Sequence, residues 1–206
     1  MSGQYRGKLG LEGGVSHTKS ANQIRQLSLT SLEREMVIGC LLGDGTLSRS
    51  GKNYRLRIEH SVKHSEYVTW KYGYLKRICI SPVQHVVSHS SLRFGTVGHP
   101  QLSLLRHVWY QTAKQIPNGL ELTPFIIAIW FMDDGTKHRD TVDISIHSFS
   151  RASIEKLQKQ LLKFRIDTTV NSDSKGPRLY IRKKSYPNFK KLVSPYIQKC
   201  MAYKLP

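Results

Sequence analysis

Acidic residues are scarce in this chain. Only 14 Asp and Glu stand against 32 Lys and Arg, a net charge of +18 with a pI near 10.0. The excess is not a tail: residues 121–206 hold 16 basic and 8 acidic residues, leaving 16 and 6 for residues 1–120. A basic surface of that extent is rewarded by phosphate neutralisation, so nucleic acid is the first expected partner. Solubility alone needs far less charge. Long apolar runs are also missing. No segment approaches the ~20 apolar residues of a membrane span, and no basic amphipathic helix dominates, so no membrane partner is expected. The opening, Met1 to Gly14, is polar and Gly-rich with no apolar core of a secretion signal. Three cysteines make no disulfide framework, and Cys40 and Cys79 lie within apolar stretches, which points to a reducing, intracellular setting. No Walker loop, nucleophile elbow or dinucleotide fingerprint occurs. Nine histidines include the i, i+4 pairs His60/His64 and His85/His89, but no cysteine pair accompanies them and zinc is not expected.

What is present is enough hydrophobic residue, 39% of 206, to build one domain or two small ones. Residues 1–28 lack periodicity, hold five of the fifteen glycines, and read as a flexible basic arm. Thr30-Ser31-Leu32-Glu33 is a capping-box pattern that starts a helix running to about Asp44, where Gly45 stops it. Tyr54 to His60 alternates with period two and predicts a strand. A helix over 65–78 follows, then strands over 83–88 and 92–97, and a helix from Pro100 to about Lys114. The order then repeats. Pro124 opens a helix ending at Asp134. Val142, Ile144 and Ile146 alternate in a strand, and Ser150 caps a helix. Strands over 167–171 and 178–183 flank a Ser-Lys-Gly-Pro turn, and a last helix carries Phe189, Leu192 and Tyr196.

Each part therefore reads helix, strand or strands, helix, two strands, helix, and the repetition suggests a pseudo-two-fold duplication. The expected domains are the arm at 1–28, a first half at 29–120 and a second half at 121–206. Sheets of this kind keep one apolar face for helices and leave a polar, basic face open. Two such faces side by side make a trough suited to duplex DNA.

At the start of each half, an apolar run ends in Asp-Gly: Val37 to Gly45, and Ile127 to Gly135, with Asp44 and Asp134 ninety residues apart. A helix that is apolar to its last turn and then presents a carboxylate puts an acid at the edge of a buried seam. Two of them packed together bring both acids to one place, which in so basic a chain suggests metal ions acting on phosphate.

These two segments resemble the paired motifs of LAGLIDADG homing endonucleases. Asp44 and Asp134 match the eighth, acidic position, and Gly45 and Gly135 the closing glycine. The flanking blocks Lys114-Gln115-Ile116-Pro117, Trp130 to Gly135 and Met201 to Pro206 are similar to the single-chain, two-motif, intron-encoded branch. The resemblance covers about residues 30–206. Two departures matter. The third motif position is Gly39 in one copy and Ile129 in the other, so the helix seam cannot be equally tight on both sides. The seventh is Gly43 against Asp133, so Asp133 competes with Asp134 for the acidic role; register favours Asp134.

The resemblance implies an α+β fold, a saddle of two αββαββα units with the motif helices packed at its centre and two antiparallel sheets on DNA. It implies a monomeric, site-specific double-strand endonuclease that serves intron mobility and leaves short 3′ overhangs at a long, asymmetric site. Mg²⁺, with Mn²⁺ able to substitute, would be held by Asp44 and Asp134 with the carbonyls of Gly43 and Asp133 as further ligands. Lys114 and Lys204 match basic residues that counter charge in the transition state. Base and phosphate contacts are expected from outward strand residues, Arg55, Arg57 and Arg93 in the first half and His147, Arg178, Tyr180, Arg182 and Lys184 in the second. The other reading within the family is an RNA maturase that binds its host intron. An organelle is the expected compartment if the gene lies in an organelle intron, the bacterial cytoplasm otherwise.

Overall fold

The computed structural model describes residues 12–206 except 112 and 175. Two motif helices form its centre. The first, α2 (Ser31–Leu42), begins with a complete capping box: the Thr30 hydroxyl accepts the Glu33 amide and the Glu33 carboxylate accepts the Thr30 amide. The second, α5 (Pro124–Asp134), starts on a Thr123 cap with proline in its first turn. Every residue from Phe125 to Met132 is buried, as an apolar run without an amphipathic stripe requires. The Thr123 hydroxyl also donates to Glu35 at 2.6 Å, tying the start of one motif helix to the other.

The helices pack through glycine on one side only. A Cβ on Gly39 would sit 2.7 Å from that of Ile129, and a Cβ on Gly43 2.4 Å from that of Asp133. The larger side chains of α5 thus fill the space that glycine leaves on α2. One continuous apolar core runs from this seam into both halves.

Each half adds a four-stranded antiparallel sheet with the same strand order. In the first, β1 (Thr46–Ser50), β2 (Asn53–Ser61), β3 (Gln84–Val86) and β4 (Ser91–Gly95) lie in the order β1-β2-β4-β3. In the second, β5 (Gly135–Lys137), β6 (Val142–Ser145), β7 (Thr168–Asp173) and β8 (Gly176–Ile181) lie β5-β6-β8-β7. The α3 helix (Ser65–Leu75) and α4 (Pro100–Trp109) belong to the first half, α6 (Arg151–Leu162) and α7 (Tyr186–Val193) to the second. Leu56, Ile58, Phe94, Ile144, Leu179 and Ile181 point into the core. This is the duplicated α+β architecture expected from the sequence.

Several expectations need correction. Residues 12–25 form a helix, α1 (Glu12–Arg25), and Arg25 Nε donates to Gly98 O at 3.0 Å with Ala21 buried beneath it. A flexible arm is therefore wrong for that stretch, while residues 1–11 lie outside the described residues. The α2 helix ends at Leu42, two residues early, because Gly43 leaves helical backbone at the crossing with α5. The α4 helix ends at Trp109, and Tyr110 bridges to Lys114. The strands β1 and β5 carry no sequence pattern of their own, since each holds at most one buried apolar residue and exists by pairing with its neighbour.

Candidate functional site

The two sheets start at the feet of the motif helices, so the chain turns from helix to strand at Asp44 and at Asp134. The two turns touch: the Asp44 amide donates to Asp133 Oδ2 at 3.3 Å. Burial pushes the Asp134 carboxyl up to about 7, and the negative charges of Asp44 and Asp133 add to the effect. Asp44 is raised as well, by burial and then by Asp133. Its side chain is 46% exposed, so it reaches solvent from the edge of the seam.

Three lysines and a histidine surround these acids. Burial lowers the Lys114 ammonium, with Asp134 its largest opposing influence. Lys204, on the 3₁₀ turn Lys199–Lys204, donates to the carbonyls of Met132 at 2.6 Å and Asp133 at 2.8 Å. It is not a frayed terminal residue. Lys71, from α3, is wholly buried and 2.6 Å from Asp133 Oδ1. Burial works against its charge, but the surrounding groups, Asp133 foremost and Asp44 with it, together outweigh that and keep it protonated. The Tyr67 hydroxyl, one turn earlier, donates to the same oxygen at 2.8 Å. His60 closes the group: Nε2 lies 3.1 Å from Lys71 Nζ and Nδ1 3.6 Å from Asp44 Oδ2. Burial, then Lys71, pulls the imidazole down to about 4. It is neutral at pH 7, accepting from Lys71 through Nε2, which puts its proton on Nδ1 toward Asp44.

The sequence thus brought Asp44, Asp133, Asp134, Lys114 and Lys204 to one place and missed Tyr67, Lys71 and His60. A signal existed: Lys71 interrupts the apolar stripe of α3, and His60 has the inward parity of Leu56 and Ile58 on β2. Asp44, His60 and Asp133 offer ligand atoms within 4.8 Å of one another. The Asp133 carboxylate is a poor ligand nonetheless, because it already accepts from Lys71, Tyr67 and the Asp44 amide; the Asp133 carbonyl accepts from Lys204 and keeps a second lone pair. Among the described residues the Asp134 carboxylate makes no hydrogen bond or ion pair. Asp44 and Asp134 are oxygen donors of raised pKa that a hard divalent cation suits.

The expected DNA-facing residues separate into two groups. Arg55, Arg57 and Arg93 line one cleft with Ser81 and Gln84 on the open face of the first sheet. Among the described residues these three guanidiniums make no hydrogen bond or ion pair. In the second sheet Arg178 is only 16% exposed and donates to Asp143 through Nε at 2.7 Å and through Nη2. It does not stand free as expected, and Asp143, which alternates with the inward Val142 and Ile144, is buried between Arg178 and His138. Tyr180 is half-buried beside His138. Arg182 and Lys184 lie beyond the end of β8 and share Asp167, each at 3.4 Å. His147 is exposed just past β6, its Nδ1 2.6 Å from the Ser145 hydroxyl.

Among the described residues no helix is long and apolar enough to cross a membrane. The model of the LAGLIDADG DNA endonuclease family matches residues 34–189. The DNA endonuclease I-ChuI of Chlamydomonas applanata is 28% identical, over 87% of this chain and 96% of its own length. The cytochrome b mRNA maturase bI2 of Debaryomyces hansenii is 28% identical over 83% of this chain and 72% of its own. In three dimensions the chain is similar to the homing endonuclease I-WcaI bound to its DNA recognition sequence, with a TM-score of 0.80, 25% identity, and 95% of each chain covered.

Proposed function

Because the chain belongs to the LAGLIDADG DNA endonuclease family, we propose that it is a site-specific homing endonuclease that cuts both strands of duplex DNA. The observation that carries this is the meeting of Asp44 and Asp134 at the feet of two packed helices, each where a sheet begins. The chain works as a monomer of two halves, 29–120 and 121–206, preceded by an N-terminal segment. One acid per half suits a cut in each strand.

A divalent cation, Mg²⁺ or Mn²⁺ in its place, fits the oxygen donors of Asp44 and Asp134, with the Gly43 carbonyl as a further ligand, and when bound supplies an activated water and a Lewis acid. The Asp133 carbonyl is the matching ligand in the other half, and its carboxylate stays outside that set. Lys114 holds a positive charge near Asp134 where the scissile phosphate gains negative charge, and its partial burial strengthens the effect. Lys204 fixes the last turn of α5 through the Met132 and Asp133 carbonyls and so sets where Asp134 stands. Arg55, Arg57 and Arg93 hold one arm of the site in the major groove. His147, Tyr180, Arg182 and Lys184 contact the other arm. The unequal faces suit a long, asymmetric target.

The test is cleavage of plasmids carrying candidate intronless sites, in Mg²⁺ or EDTA, by the wild type and by Asp44→Asn and Asp134→Asn. Mg²⁺-dependent linear product at one site, lost in both variants, is the expected outcome. Tight, specific binding of a site that is never cut removes the proposal. A second reading rests on the maturase relative: the basic faces bind the host intron RNA. It predicts that both Asn variants still support splicing. The compartment follows the gene, an organelle if the intron is an organelle's.

A further inference from the structure

Asp44 leaves its helix in an unusual way. The Gly43 amide still reaches Gly39 O and the Gly45 amide reaches Cys40 O. Between them, the Asp44 amide is received by a carboxylate of the other half, Asp133 Oδ2 at 3.3 Å. That carboxylate is itself fixed at its second oxygen by Lys71 Nζ at 2.6 Å and the Tyr67 hydroxyl at 2.8 Å. The side chains of Lys71 and Asp133 are both completely buried. Desolvating such a pair is costly, and an apolar pair of similar volume is often no less stable. What the ion pair adds is direction, because a carboxylate held at Oδ1 by two donors can turn only Oδ2 to the Asp44 amide.

The reverse arrangement does not exist. The residue of α2 at the matching motif position is Gly43, where any Cβ would fall 2.4 Å from Asp133 Cβ. Asp134 is the last residue of α5, and the Gly135 amide closes onto Phe131 O within its own helix.

We propose that Lys71, acting through Asp133, is a positioning residue for Asp44 alone, so that the cuts in the two DNA strands depend unequally on the α3 network. The proposal rests on the endonuclease reading and on Asp44 serving one strand more directly than the other. The Lys71 and Asp133 side chains are closed off from the surface; they set where the Asp44 backbone stands.

The test uses the full chain with Lys71→Met, with the charge-free pair Lys71→Met/Asp133→Asn, which buries no lone ion if the single variant does not fold, and with Tyr67→Phe. The first measurement is amide hydrogen exchange without DNA or metal. Asp44 is expected to exchange at least ~10-fold faster in the Lys71 variants while Gly135 stays within ~2-fold of wild type, because only the first amide loses its acceptor's anchor. The second is cleavage of a cognate duplex labelled on both strands. One strand's cut is expected to slow by about 10- to 100-fold relative to the other, with nicked product accumulating and Tyr67→Phe showing a smaller bias of the same sense. Unchanged Asp44 exchange, or equal slowing of both strands, overturns the proposal. A wild type that cuts nothing overturns the endonuclease reading instead, and the exchange data still decide whether Lys71 positions Asp44.

Discussion

The two sheets share a strand order and differ in the charge they present. Opposite the threonine that follows each motif glycine, the first sheet carries Arg57 and the second Asp143. Around Arg57, the guanidiniums of Arg55 and Arg93 stay free, flanking Gly95, which has no side chain to cover them. Around Asp143, Arg178 and His138 turn inward onto its carboxylate, which takes up the Arg178 charge. Duplication preserved the backbone and the apolar face, which the core demands. The open face was left to diverge, because nothing in folding requires it to match. A scaffold that repeats its strand order therefore carries two unequal open faces.

The largest effect is expected from stripping the free face. Arg55→Ala, Arg57→Ala and Arg93→Ala together should weaken DNA binding by about 100-fold, at ~1 kcal/mol for each lost contact. The salt dependence of binding should flatten by about one unit per phosphate contact removed. An unchanged slope in a salt titration would place the DNA elsewhere. Next comes the seam. Gly43→Ala should cost roughly 2–3 kcal/mol in chemical denaturation, because its Cβ meets the stem of Asp133 and not a flexible end. If it proves neutral, the close packing of α2 on Asp133 is wrong.

Arg178→Ala is the counter-test of the neutralised face. It should leave the salt slope of binding alone and lower stability by about 2 kcal/mol, because Asp143 keeps only His138. A large drop in affinity without loss of stability would make Arg178 a DNA contact after all. The smallest effect compares the caps of the two motif helices. Thr30→Ala should cost about 1 kcal/mol and Thr123→Ala a similar amount, and the cap of the first helix should show a pH dependence. There, burial opposes ionisation of Glu33, and the bonds from Arg77 and the Thr30 amide outweigh it, holding the carboxyl below its ordinary value. A depressed carboxyl contributes stability that is present above the unfolded pKa and lost as pH falls through the folded one. Melting temperature against pH should therefore fall less steeply below pH 5 in Glu33→Gln than in wild type.

The sequence by itself determined the elements whose signal is local. The α5 helix was legible to the residue, because a cap, a proline and an unbroken apolar run leave the backbone no alternative. The two acids were legible because they end such runs. The charge of the chain pointed to nucleic acid, since long-range electrostatics depend on composition more than on arrangement. Tertiary structure decided what depends on who stands opposite. The β1 strand, Thr-Leu-Ser-Arg-Ser, has too little pattern of its own and exists because β2 pairs with it. Arg178 and Asp143 each looked outward along their strands, and only pairing of β6 with β8 set them side by side. The role of Asp133 was decided in the same way. Its place beside Asp134 made it look like a rival ligand, but the close crossing at Gly43 and the buried Lys71 spend its carboxylate on holding the other half's acid in place.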